Sequence, residues 1–233
     1  LLRRFVLLGV AVPRPVAALL DSQGDDARLT ALLEKGRLRE DREQQTLSAA
    51  TGGDPQASDR PARDELLAWL TTRCDWPYAR IAHLIAGKRL AELEAYLAQQ
   101  ALASPARIAP GPAAELLGPF LAREAPGSRM VEHGLDILIQ GNCLELAAQV
   151  IAGHSGRLPP GIRLKKAHLA LRRKEYSELG RLLAGMERPP AGQRDEWLYV
   201  NFMYNEKTSQ KGKAGEYARG IKSPYYRNLA HVQ

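Results

Sequence analysis

Apolar positions recur every three to four residues along most of the chain, the period of an amphipathic helix rather than of a strand. Short periodic segments alternate with Gly and Pro punctuation. The pattern predicts helices over 62–73, 78–86, 89–102, 112–124, 128–140, 143–153, 161–173, 175–186, 194–208, 212–222 and 224–231. The connections are short, so consecutive helices should pair antiparallel. Nearer the start, Pro13 and Pro15 break the chain. Asp25 or Asp26 can cap a helix with Leu29, Leu32 and Leu33 on one face. Beyond Gly36 the segment RLREDREQQ is almost wholly polar and reads as a solvated helix or arm. TGGDPQASDRP at 51–61 has linker composition, with no apolar anchor. The expected organisation is an N-terminal helical, membrane-proximal segment (1–50), a linker (51–61), divergent helical hairpins (62–125) and helical repeats with a C-terminal capping helix (126–233). Pro105, Pro110 and Pro112 mark a longer joint.

Two readings stay open for the first residues. The chain starts at Leu1 without Met, as a fragment or processed form would. Arg3-Arg4 precedes the apolar run Phe5–Val12. This run is either a buried first helix or strand that stops at Pro13, or the edge of a signal or membrane anchor. No run approaches the roughly 18 apolar residues of a membrane span. Cytoplasmic residence is expected, with a tether upstream of residue 1 as the alternative.

Composition supports the helical pattern. Of 233 residues 45% are hydrophobic, and Ala, Leu, Glu, Arg, Lys and Gln dominate, which suits helices more than sheet. Disorder, collagen-like and disulfide-scaffold classes are excluded; Cys74 and Cys143 are the only cysteines. The net charge of +7 is unevenly spread. Residues 126–233 hold 17 Lys/Arg against 10 Asp/Glu, whereas the rest of the chain is balanced.

The C-terminal part repeats itself. Gly134, Ala167 and Asn201 fall in the first helices of three successive pairs, spaced 33 and 34 residues apart. Cys143 and Tyr176, and also Gly141 and Lys174, are 33 apart. Pro159–Pro160, Pro189–Pro190 and Pro224 close the units. This spacing resembles the tetratricopeptide repeat, whose pattern is W-x2-L-G-x2-Y followed by a small Ala, a Phe and a closing Pro. Trp197, Val200, Asn201 and Tyr204 fall at the W, L, G and Y places. Asn201 departs from the expected Gly, Leu146 and Leu179 from Ala, and His133 and Lys166 from Leu. The resemblance covers about 127–224. The segment 76–100 looks like another pair out of register.

The resemblance implies an all-α fold of antiparallel helix hairpins stacked into a right-handed solenoid. It also implies a non-catalytic scaffold or adaptor that binds a protein partner through its first helices. The inward positions are Val131, Leu135 and Leu138 in the first unit, Leu164, His168 and Arg172 in the second, and Leu198, Phe202 and Asn205 in the third. Other hairpin repeats and a non-repeating bundle remain as alternatives.

Motifs for chemistry are absent: no GxGxxG, P-loop, HExxH or paired CxxC occurs. Gly153-His154-Ser155-Gly156-Arg157 resembles a nucleophile elbow but ends in Arg. No catalytic residue, metal site or cofactor is expected. Asp64-Glu65 and Asp195-Glu196 read as acids at helix starts, where the dipole favours them. A basic patch is expected from Lys165, Lys166, Arg173, Lys174, Lys211 and Lys213, interleaved with late aromatics. It reads as solvated surface, as a site for an acidic protein, or, as the rival function, as a nucleic-acid-binding face.

Overall fold

In a computed structural model the described residues are 2–21, 26–41, 45–50, 59–103, 111–124, 127–154 and 158–231. The chain is mostly helical and divides into two compact units, Leu1–Glu92 and Leu93–Gln233. Most of the linker at 51–61 and of the proline joint at 104–110 lies outside the described residues.

Unit 1 contains α1 (Leu2–Leu8), β1 (Val12–Pro13), α2 (Arg14–Leu20), α3 (Asp26–Glu34), β2 (Leu38–Asp41), β3 (Thr46–Ala49), α4 (Arg60–Arg73) and α5 (Pro77–Ala86). The basic-apolar start is packed inward: Phe5, Leu7 and Leu8 of α1 and Val12 of β1 are buried. Among the described residues no helix is long and apolar enough to cross a membrane. The three strands form a small antiparallel sheet in the order β1-β3-β2, with Val12 opposite Leu47 and Leu38 opposite Ala49. This corrects the helical reading of the polar segment after Gly36. β2 is an edge strand, and each of β2 and β3 turns a single leucine inward, Leu38 and Leu47. One inward residue per strand is too little alternation to register as a period. Tyr78 fastens α5 back to the start of the chain: its hydroxyl donates to the Leu8 carbonyl (3.2 Å) and accepts from Arg63 Nη2 (2.8 Å).

The helix α6 (Leu90–Ala103) crosses the boundary and leads into α7 (Pro112–Arg123), α8 (Ser128–Gln140), α9 (Leu144–Gly153), α10 (Pro160–Arg172), α11 (Tyr176–Ala184), α12 (Arg194–Lys207), α13 (Lys211–Gly220) and α14 (Pro224–His231). All helices expected from residue 62 onward are present, with ends within two residues of the periodic segments.

One turn recurs between paired helices. Asn142, Lys174 and Ser209 each adopt left-handed backbone, with φ of 61°, 61° and 62°. In each turn the next N–H reaches back five residues: Cys143 to Leu138 O (2.7 Å), Glu175 to Ala170 O (2.9 Å) and Gln210 to Asn205 O (2.8 Å). This is the Schellman closure of a helix C-terminus. Lys88, with φ 52°, makes the same closure in unit 1 through Arg89 N–H to Leu84 O (2.9 Å). Equivalent turn residues are thus 32 and 35 apart, not 33 and 34. The small residues used as markers set the sequence register imperfectly, because backbone closure rather than side-chain size defines the unit.

The main contacts join near neighbours in sequence: α8 with α9 and α10, α10 with α11 and α12, α12 with α13 and α14. Small residues sit where neighbouring helices meet. A Cβ on Gly134 would run into Leu121 of α7, and one on Gly153 would lie 2.7 Å from the Ala122 carbonyl oxygen. Gly180 of α11 leaves room for the Tyr204 phenol, 2.6 Å from where its Cβ would stand. Gly134 therefore admits the preceding helix α7 rather than its own partner α9.

Candidate functional site

The first helices α8, α10 and α12 lie side by side and share a buried ionic cluster. Lys165 of α10 is 2% exposed. Its ammonium donates to Asp136 Oδ1 of α8 (2.6 Å) and to Glu196 Oε2 of α12. Glu196 Oε1 lies 2.8 Å from His168 Nδ1, one turn along α10 from Lys165. One cation thus ties three first helices together. The side chain of Asp136 keeps 17% exposure; those of Lys165, Glu196 and His168 are nearly sealed.

Two carboxylates face one ammonium, and the electrostatics separates them. Burial by itself would raise the Glu196 pKa, but Lys165 and the His168 hydrogen bond outweigh it and hold it at about 2. Glu196 is therefore ionised and can only accept, so His168 carries its proton on Nδ1. Burial dominates at Asp136, and the neighbouring Glu196 and Glu132 add to it. Lys165 opposes them incompletely, and the pKa is pushed up to about 7. Burial pulls the Lys165 pKa down, yet its two carboxylates leave it above the ordinary lysine value. Glu132 stands at the edge of the cluster, raised by burial, and accepts from Gln193 Nε2 at 2.9 Å.

Aromatic rings cover the cluster. Tyr199 of α12 meets the His168 ring edge-on at 5.8 Å. Tyr226 of α14 lies over Tyr199 at 5.3 Å, and Tyr225 crosses Tyr226 at 5.0 Å. Burial raises the Tyr226 phenol above its usual range, and Glu196 and Asp136 add to that. Arg172, half-buried at the end of α10, donates to Asn142 Oδ1 (3.3 Å).

The residues expected to bind a partner divide sharply. Val131, Leu135, Leu138 and Leu164 are completely buried, and His168, Leu198 and Asn205 nearly so. They are core, because the apolar stripe of each first helix is used up in packing against its neighbours. Arg172 and Phe202 retain partial exposure. The expected basic patch also changes. Lys165 belongs to the buried cluster, not the surface. Lys166 pairs with Glu178 (3.2 Å) and Arg173 with Glu145 (2.8 Å), whereas Lys174, Lys211 and Lys213 are exposed.

Asp195 and Glu196 stand in the first turn of α12, as expected, and make further contacts there. Glu196 is the centre of the cluster. Asp195 clamps the segment before α14: Lys222 N–H donates to Oδ1 (3.0 Å) and Ser223 N–H to Oδ2 (2.8 Å). Asp64 and Glu65 are exposed in the second turn of α4. The sequence carried a faint signal of the cluster, since Lys165 and His168 stand at i and i+3 on one helix face. Their acidic partners, 29 and 31 residues away from Lys165, could not be identified without the stacking order.

A cavity of about 380 Å³ opens between α9, α10 and α11, lined by Ile151, His154, Leu169 and the paired Lys166 and Glu178. Among the described residues no group of three His, Cys, Asp or Glu is placed to hold a metal. His154 follows the end of helix α9, so no strand leads into the GHSGR segment, whose last three residues lie outside the described residues. No family model, curated protein or solved structure matches the chain.

Proposed function

We propose that the chain is a non-catalytic scaffold that holds a protein partner on its row of first helices. The observation that carries this reading is the side-by-side arrangement of α8, α10 and α12, bridged by Lys165, within hairpins closed by one repeated turn. A single hairpin cannot bury its own apolar face; neighbours bury it and leave a row of helices as an extended binding surface. The resemblance to tetratricopeptide repeats points the same way, and a right-handed solenoid is the architecture it implies. The accessible recognition residues are Arg172 and Phe202.

The test is affinity purification with the full chain as bait. A defined protein should be retained, and Arg172→Glu and Phe202→Ala should release it with the far-UV circular dichroism unchanged. Folded variants that capture the same protein as efficiently would overturn the reading. Leu135→Glu is unsuitable, because a charge at a fully buried core position would unfold the hairpin.

A second reading has its own observation. Lys211, Lys213, Arg219, Lys222 and Arg227 are exposed on α13, α14 and their connection, the last two within three residues of Tyr225, and among the described residues none forms an ion pair. Cations with aromatics suit single-stranded nucleic acid. A retarded complex at low salt, weakening by roughly 0.7 log units per log[salt] for each phosphate neutralised, would favour this reading.

A further inference from the structure

We propose that the face of α12 now covered by α14 is the docking surface for the partner, and that the partner presents a short helix bearing an aromatic residue with an aliphatic one three positions later. This rests on the scaffold reading and names the chemistry of its ligand.

The observations come from how α14 is held. It has eight residues, a length that does not persist as a helix by itself in water. It is kept in place through one side. Tyr226 lies over Tyr199, and Leu229 packs against the cluster containing Leu198, Tyr199 and Met203. Tyr226 and Leu229 are three residues apart and so share a helix face. Tyr225, Arg227 and Asn228 are exposed. The connection from α13 is fastened by the two backbone bonds to Asp195 and by no side chain of α14. The helix thus occupies the surface as a peptide ligand would, with two anchors and a solvated back.

The floor under these anchors selects against acidic ligands. Glu196 of α12 and Asp136 of α8 lie beneath the tyrosines, with Lys165 already engaged between them. A carboxylate on the incoming face would meet the Glu196 carboxylate, whose cation is already engaged, whereas a neutral aromatic covers it. At the rim, the positive charge of Arg172 acts on the Tyr199 and Tyr225 phenols.

The test uses the full chain and a labelled peptide of residues 223–231, SPYYRNLAH, as the probe. The variant Tyr226→Ala/Leu229→Ala frees the surface. It should bind the peptide at least tenfold more tightly than the wild type does, and adding Tyr199→Ala should abolish that binding. Asp195→Ala, which loosens the connection without altering either anchor, should also raise peptide binding above wild type. A peptide carrying Glu in place of the second tyrosine should fail to bind. Equal binding by wild type and freed variant, or no binding by either freed variant while both keep wild-type circular dichroism, would overturn the proposal. If the peptide fails while the full chain still captures its partner, only the docking surface falls. If partner capture fails while the peptide binds, the scaffold reading falls.

Discussion

The two units bury their interiors by different means. In unit 1 the core is largely apolar, with the buried Asp21 at 3.6 Å from Arg28, and it is closed by distant segments: β1 pairs with β3, and Tyr78 reaches back to Leu8. In unit 2 the main contacts join near neighbours in sequence, and the seam between first helices contains charge. The contrast separates two ways of specifying structure. An apolar core tolerates any arrangement that keeps volume and pattern, whereas a buried lysine accepts only the arrangement that brings its two carboxylates to it. Stacked hairpins have similar surfaces, and a slip of one helix against the next would bury much the same apolar area. Lys165 penalises such a slip, because it would be left unpaired in the interior.

The largest expected effect comes from removing that cation. Lys165→Met leaves Asp136 and Glu196 buried without compensation and should destabilise the protein by about 3–5 kcal/mol in urea unfolding. Replacing all three by Met, Leu and Leu should recover at least half of that loss. A single Lys165→Met variant as stable as wild type would mean that the seam behaves like the apolar core of unit 1.

Glycine substitutions at the second helices sharpen the contrast further. Helix propensity favours alanine over glycine by about 1 kcal/mol. At Gly212, where nothing lies within 4 Å of the new methyl, Gly212→Ala should stabilise by up to about that amount. At Gly153 the methyl meets the Ala122 backbone, and Gly153→Ala should cost about 1–3 kcal/mol instead. Thermal melts of the two variants should shift in opposite directions.

The pH dependence of the cluster tests the same seam without removing its cation. The folded pKa of Asp136, about 7, lies above its ordinary 3.8, so the folded state binds more protons between those values. Its contribution is fully present below about pH 4 and is lost as pH rises through 7. Glu196, lowered from 4.5 to about 2, acts oppositely, and its contribution disappears only as the pH falls through that lower range. Asp136→Asn mimics the protonated form. Its stability relative to wild type should therefore improve steadily from pH 4 to pH 7.5, which parallel melts across that range would measure.

Much of the architecture was legible before any coordinates. The 3.6-residue period, the prolines opening α7, α10 and α14, and the short connections located every helix after residue 60. The small sheet was not legible, because β2 is polar except for Leu38 and its partner strand β3 turns only Leu47 inward. Candidate site residues fared less evenly. Periodicity shows that Val131, Leu135 and Leu164 lie on one face of their helices, but not whether that face meets solvent or another helix. Lys165 looked like one more surface cation because only its neighbours on α8 and α12 distinguish it from Lys166, the adjacent residue, which does reach solvent.

The sequence by itself determined the helical class, the segment boundaries and the recurrence of paired helices, because these follow from local periodicity and chain-breaking residues. The tertiary structure decided which faces are core, which charges are buried and which helix covers α12. Each of these depends on groups about thirty residues apart meeting in space, and the free energy of a charge or an apolar ring is set by those neighbours rather than by its position in the chain.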